Sequence, residues 1–468
     1  MRNTPRSAPT TLALALAAAL LPALWSAPAT GQSQTATPAA PAAARSDLLT
    51  IYRLAQTNDP VFAAARFARQ AAQERETQER APLLPNVTAS AGYNVTNVDF
   101  EGTSQLGTPQ NITRTFNSWG PALQASIPIY RPQQWNRLDQ ARLQVQSAEA
   151  QFAQAQQDLV LRVSQAYFDI LAAQDDLTAI EASKKAVSEQ LAQARREFEV
   201  GTKTIVDTHE AQARFDQIVA QEQVIRGNLI VRQNALRSII GRDPGPLVPL
   251  AEKPQLTPPQ PIDVDAWARR AEENSFAVQV ARFNAEVAKL GTTLARNRHL
   301  PTLDLTGRAD LNRSSGSLSS ATSSTQRTAV IGVQLSVPIY SGGLIQSQVR
   351  EALALEERAG QDLESARRNS NQSAKQAFTG VDFGLAQVRA LESAEVSARS
   401  QLDSTRLGYQ VGVRINLDVL NATTQLFSTQ RDLKKSRYDF LVNGLRLESA
   451  VGSLDERDVQ AINALLAR

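Results

Sequence analysis

Two hydrophobic rhythms alternate along this chain. From Leu138 onward, Ala141, Val145, Ala148, Phe152, Ala155 and Leu159 recur at steps of three and four, and after one extra residue Val163, Ala166, Ile170, Ala173, Leu177 and Ile180 carry the rhythm on. Such a heptad seam marks a helix packed along its length against another. Extended to Glu199 it predicts about 60 residues, or ~90 Å at 1.5 Å per residue. Past Gly201 a second helix is expected from about Ile205 to Gly241, antiparallel to the first, and a weaker seam from Leu344 to Tyr409 is broken by Ser370, Ser373 and Gly380. The other rhythm has period two: Val87, Ala89, Ala91 and Tyr93; Leu123, Ala125, Ile127 and Ile129; Leu303, Leu305, Gly307 and Ala309; Ile331, Val333, Leu335, Val337 and Ile339. Each is a strand with one apolar face. The polar stretches Gly102 to Thr115 and Arg313 to Gln326 are expected to be loops in water.

The order of these elements repeats. Asn58, Arg66, Arg80 and Leu84-Pro85 recur 216 residues later as Asn274, Arg282, Arg296 and Leu300-Pro301. Val200-Gly201, Asp207 and Gly241 recur 211 residues later as Val411-Gly412, Asp418 and Gly452. Each copy opens with a helix of roughly 35 residues that ends at the Leu-Pro pair, because proline pushes the residue before it out of the α region. The expected organisation is a signal peptide at 1–31, a flexible leader at 32–45, a first repeat at 46–242, a Pro-rich linker at 243–262, a second repeat at 263–458 and a tail at 459–468. The signal assignment rests on Arg2 and Arg6, the apolar run Leu12 to Leu24 and the small residues after it, with cleavage after Ala29 or Gly31.

Composition excludes more than it identifies. Losing Arg2 and Arg6 brings the formal charge from +3 to about +1, and no block of like charges follows, so nucleic acid is not an expected partner. With no cysteine there is neither a disulfide framework nor a lipid-bearing N-terminal thiol. His209 and His299 lack spaced partners and no phosphate-binding glycine loop is present, so neither an enzyme nor a cofactor is expected. No apolar stretch after the signal is long enough for a membrane helix, which leaves a β-barrel as the way to span. Four amphipathic strands are too few to close one, since about eight is the minimum. Self-association follows, and dimer and trimer both satisfy the count. Tyr93, Phe100, Phe116, Trp119, Tyr130 and Tyr340 stand near strand ends, where an interfacial girdle belongs. The rival readings are a periplasmic adaptor, which has one hairpin between compact β domains, and a secreted coiled-coil structural protein, which leaves the strands unexplained.

The stretch Gly408-Tyr-Gln-Val-Gly-Val-Arg-Ile-Asn-Leu-Asp-Val-Leu-Asn-Ala-Thr-Thr-Gln-Leu426, with Arg437-Tyr-Asp-Phe-Leu-Val-Asn-Gly-Leu445 behind it, resembles the TolC family of outer-membrane factors from about Ser46 to Asp458. The resemblance implies a mainly α fold with a β-barrel portion: a homotrimer with a 12-stranded barrel in the outer membrane and a 12-helix tunnel across the periplasm. It implies a passive exit duct for efflux or type I secretion, joined to a periplasmic adaptor and an inner-membrane transporter.

Its mechanism is expected where the helical hairpins turn. Gly201, Thr202, Gly412 and Val413 form the two tips, where glycine permits a left-handed turn; by resemblance these tips meet the adaptor. Asp418 and Asn421 lie three apart on one helix face. From the residues alone Asp418 is a first-turn carboxylate with Asn416 as N-cap. By resemblance it lines a cation-filtering constriction in which the family's second aspartate is here Asn421. Tyr409, Arg414, Asp207 and Gln190 resemble the links that hold the duct closed, although Thr204 and Asp207 also fit a capping box.

Overall fold

The computed structural model describes residues 45–103, 109–202 and 204–467. The chain opens with α1 (Leu48–Asn58) and α2 (Pro60–Arg80), and a single 3-10 turn then leads into β1 (Asn86–Thr103) and β2 (Pro109–Tyr130). Two long helices follow, α3 (Pro132–Glu199) and α4 (Ile205–Ile240). The series recurs as α5 (Val264–Asn274), α6 (Phe276–Arg296), β3 (Thr302–Ser314), β4 (Ser324–Ser336), α7 (Leu344–Gln410) and α8 (Asn416–Ala450), and α9 (Glu456–Asn463) closes the chain.

The seam prediction falls short of the observed length, since α3 has 68 residues and α7 has 67, about 100 Å each. The single opening helix expected in each copy is in fact two. Asp59 breaks the first, its extended backbone letting its carboxylate accept from the Phe62 amide and so cap α2, with Pro60 at the first helical position. Ser275 does the same for α6 through the Val278 amide. The strands also run further than their apolar positions suggested. Polar residues through Thr103, Ser314 and back to Ser324 remain paired, because backbone hydrogen bonding continues where the apolar face has ended.

Among the described residues there is one antiparallel sheet in the order β1-β2-β3-β4, with β2 pairing β3 to join the two copies. The last ladder pair between β2 and β3 is Ser118 with Ser314, and beyond it the β1–β2 hairpin is joined to the β3–β4 connection through Asn117 with Ser315 and Arg114 with the Ser317 carbonyl. Odd-numbered residues of β1 and β2 form an exposed apolar face; Val87, Tyr93, Val95, Trp119, Leu123 and Ile129 all belong to it. Val333, Ile331 and Leu335 continue it on β4. Phe100 and Phe116 fall on the opposite face by register, whereas Tyr93 and Trp119 stand on the apolar face toward one end of the strands and Tyr130, beside Trp135 at 5.5 Å, stands at the other. Eleven residues separate Trp119 from Tyr130 along β2, or ~36 Å of strand and ~28 Å of height at the usual barrel tilt, close to the thickness of a hydrocarbon core.

Around the middle of α3, between the sheet and the hairpin tips, the principal core gathers Leu48, Ile51 and Tyr52 of α1, Tyr167 and Phe168 of α3, Leu236 and Ile240 of α4, and Trp267 of α5, along with Leu445 and Leu447 of α8. The segment 243–262 lies over it: Leu247 bridges to Ser46 and Leu250 to Leu466, while Tyr167 donates to the Val248 carbonyl at 2.7 Å. Val459, Ile462 and Leu466 bring the C-terminal residues into the same core. Beyond this body each long helical pair is held by small separate clusters, such as Leu191, Ala194 and Ala211 between α3 and α4.

Candidate functional site at the hairpin tips

Both tips are built alike. After α3 the Gly201 amide donates to Phe198 and the Thr202 amide to Glu197; after α7 the Gly412 amide donates to Tyr409 and the Val413 amide to Gly408. Each is a Schellman closure, which needs the left-handed residue that Gly201 (φ 75°) and Gly412 (φ 83°) supply. The returning helices also start alike. Asp207 accepts from the Thr204 amide at 3.2 Å and its hydroxyl at 2.9 Å, and Asp418 accepts from the Ile415 amide at 3.4 Å. Thus Ile415, not Asn416, is the N-cap of α8.

Asn416 is buried and does something else. Its side-chain oxygen accepts from Gln190 of α3, and its Nδ2 donates to the Asp207 carbonyl of α4 at 3.5 Å. Tyr409 of α7, buried against Ala398, Leu402 and Val419, donates to Glu197 Oε2 of α3 at 2.6 Å. Burial raises the Tyr409 phenol well above its ordinary pKa, and the hydrogen bond to Glu197 and that carboxylate's charge add to the rise, so it stays a donor. Arg214 of α4 donates to the Thr424 hydroxyl of α8 at 2.7 Å. These bonds tie the α3–α4 hairpin to the α7–α8 hairpin within one protomer.

Of the residues singled out from sequence, the structure brings together Tyr409, Gln190 and, through its backbone, Asp207. Among the described residues Arg414 makes no ion pair between hairpins. Its side chain folds back over Gly408, whose missing Cβ leaves the room, and reaches Asp418 at 3.7 Å. Asp418 is half-buried and Asn421 exposed. Glu197 and Asn416 complete the network; the sequence gives no sign of the first, because a glutamate near a helix end looks ordinary, and suggests only an N-cap for the second. A ring of exposed apolar side chains surrounds the tips, among them Val200 (73%), Val411 (66%) and Val413 (76%).

None of the described helices is long and apolar enough to cross a membrane, and the exposed apolar face belongs to the sheet, which is set on an elongated helical body. That combination defines an outer-membrane channel with a periplasmic helical extension. The family model "Outer membrane efflux protein" matches residues 51–242 and 267–453, and the chain belongs to that family. It is 34% identical to the outer membrane protein TolC of Vibrio cholerae over 419 residues, covering 89% of this chain and 93% of that one. It is 31% identical to the alkaline protease secretion protein AprF of Pseudomonas aeruginosa, covering 89% and 86%. The Campylobacter jejuni CmeC outer membrane channel superposes with a TM-score of 0.73 at 16% identity over 90% of each chain, a likeness of fold. The chain is an outer-membrane exit duct for efflux or type I secretion, and the relatives it resembles are channel proteins rather than enzymes.

Proposed function

We propose that three copies close one barrel of twelve strands and that the paired hairpins form a gated periplasmic entrance which opens when an adaptor protein docks on the tips. The observation that carries this is the sheet itself. It has four strands, its edges β1 and β4 have no partner among the described residues, and its face is apolar and exposed. Open edges and an apolar face are stable together only when further copies complete the barrel. Detergent-extracted protein is expected to sediment as a trimer, and a monomer that inserts and conducts overturns the arrangement.

In this reading Tyr409–Glu197 and Gln190–Asn416–Asp207 hold the entrance closed, and the exposed valines beside Gly201, Thr202, Gly412 and Val413 receive the adaptor. Asp418 supplies the charge at the constriction, with Asn421 giving polarity without charge. Arg414 beside it offsets part of that charge, which makes the filter weaker than three free carboxylates. The cargo is selected by the inner-membrane transporter, since the duct offers only a passive path, and polypeptides fit the naming of AprF for protease secretion.

A further inference from the structure

The exposed face of the sheet ends in an ordered pair of cations. By register, Tyr93 opposes Trp119, Trp119 opposes Arg313, and Arg313 opposes Thr325. The next row toward the helices includes Leu311 opposite Arg327. Arg313 and Arg327 therefore sit diagonally on adjacent strands of one face, a separation of about 7–8 Å between backbones. Both are exposed, and neither has an ion-pair partner among the described residues. On the opposite face Arg308 is paired to Asp310 at 3.0 Å and Arg114 donates to the Ser317 carbonyl at 3.3 Å. The Arg313 guanidinium lies over the Trp119 ring, 5.5 Å from its centroid.

Strands β3 and β4 meet the helices at Thr302 and near Ser336, so Arg313 and Arg327 lie toward the far end, which the barrel reading sets in the outer leaflet. An arginine facing lipid costs about 2–4 kcal/mol at the midplane and almost nothing at the interface. Two of them beside an interfacial tryptophan place this row at the headgroups. The headgroups there are those of a phosphorylated glycolipid, and the guanidinium fork matches a phosphate in charge and geometry. We propose that Arg313 and Arg327, with Trp119 as a stacking wall, bind a phosphate of an outer-leaflet glycolipid whose acyl chains lie along Leu311, Ala309 and Ile331. The proposal rests on the barrel reading above.

The test uses the intact protein in phosphatidylcholine nanodiscs doped either with bisphosphorylated lipid A or with the same lipid stripped of its phosphates, and native mass spectrometry counts the glycolipid retained. Retention of the phosphorylated form is expected to exceed the other at least tenfold. It is expected to fall by a similar factor in Arg313→Gln/Arg327→Gln and only partly in Arg313→Lys/Arg327→Lys. Equal retention of the two lipids, or undiminished retention by the glutamine variant, overturns the site, as does displacement by inorganic phosphate at matched concentration. Should the glutamine variant not assemble, the two-lipid comparison on the unaltered protein decides. Failure of the barrel reading shows separately, as unaltered protein that neither trimerises nor conducts.

Discussion

Tyr409→Phe removes one oxygen from the tip and nothing else. The ring stays packed against Ala398, Leu402, Val419, Ala422 and Leu426, so the fold loses no apolar contact. What goes is the 2.6 Å hydrogen bond to Glu197, a half-buried carboxylate left with one donor fewer. A hydrogen bond to a charged acceptor contributes about 1.5–3 kcal/mol. At 1.36 kcal/mol per tenfold, the closed arrangement of one protomer loses a factor of about 10 to 150 relative to any state in which the bond is already broken. If three protomers open together, the losses add to about 4.5–9 kcal/mol, enough to move a mostly closed population to a mostly open one. Single-channel conductance in planar bilayers reads this directly, with the thermal midpoint as a control for folding. Glu197→Gln should open the channel less, because the amide oxygen still accepts, and the double variant should not add to Tyr409→Phe, since the two residues share one bond. Unchanged conductance with intact trimers, or full additivity of the two changes, refutes the assignment.

The charge at the entrance should respond to Asp418 and Arg414 in opposite directions: Asp418→Ala abolishes most of the block by a trivalent cation added from the periplasmic side, whereas Arg414→Ser strengthens it by freeing the carboxylate 3.7 Å away. Asn421→Asp should also strengthen block, and bilayer current measurements in which Asp418→Ala leaves block intact place the filter elsewhere. Near the principal core, burial pushes the Asp59 carboxyl up, but the hydrogen bonds from Arg162 at 2.8 Å and the Phe62 amide outweigh it and hold the group below its ordinary value. Its contribution is therefore present above the ordinary carboxylate range near pH 4 and is lost as pH falls through the lower folded value. Arg162→Ala should raise the pH at which the helices melt in acid and cost about 1–3 kcal/mol near neutrality; an unchanged acid midpoint by circular dichroism counts against this role.

Sequence rhythm located the long helices and the strands because each rests on a local repeat that a linear pattern records. The helix break at Asp59 was written in Asp59-Pro60, a capping residue before a proline at the first helical position, but the apolar pattern runs through it and masks the signal until the accepted Phe62 amide shows the cap. The strand ends were missed for a related reason: Asn111, Thr113 and Thr115 carry no apolar face, yet their backbones pair with Glu101, Asp99 and Asn97. At the tips the turns were legible through Gly201 and Gly412. The tie between hairpins was not, because Glu197 and Tyr409 stand 212 residues apart and neither has a local reason to be noticed. Asn416 was assigned to its helix start, whereas burial puts it between two other helices.

The two copies show where duplication kept geometry and where it changed charge. Both hairpins retain the same turn, and both keep a cross-hairpin pair at matching positions, Arg226 with Glu181 and Arg437 with Glu392. In the first copy Glu222 is buried between Lys184 at 2.7 Å and Arg226, and the Lys184 hydrogen bond together with the charge of both cations lowers its pKa. The positions 211 residues later hold Glu395 and Leu433, so a buried leucine stands in α8 where a buried carboxylate stands in α4, and Gln430 donates to Glu395 at 2.9 Å to bond α8 to α7. Sliding between α3 and α4 would part Lys184 from the buried Glu222 and leave Arg226, on the same helix, as its cation. Packing of Leu433 is non-directional and survives a small shift. At the start of the returning helices the same divergence appears. Thr204 is replaced by Ile415, so Asp418 accepts from the backbone amide but not from a hydroxyl, and its carboxylate is left to pair with Arg414. The second hairpin thus keeps the turn of the first but starts its returning helix with a longer backbone bond and an ion pair inside the hairpin in place of a hydroxyl bond.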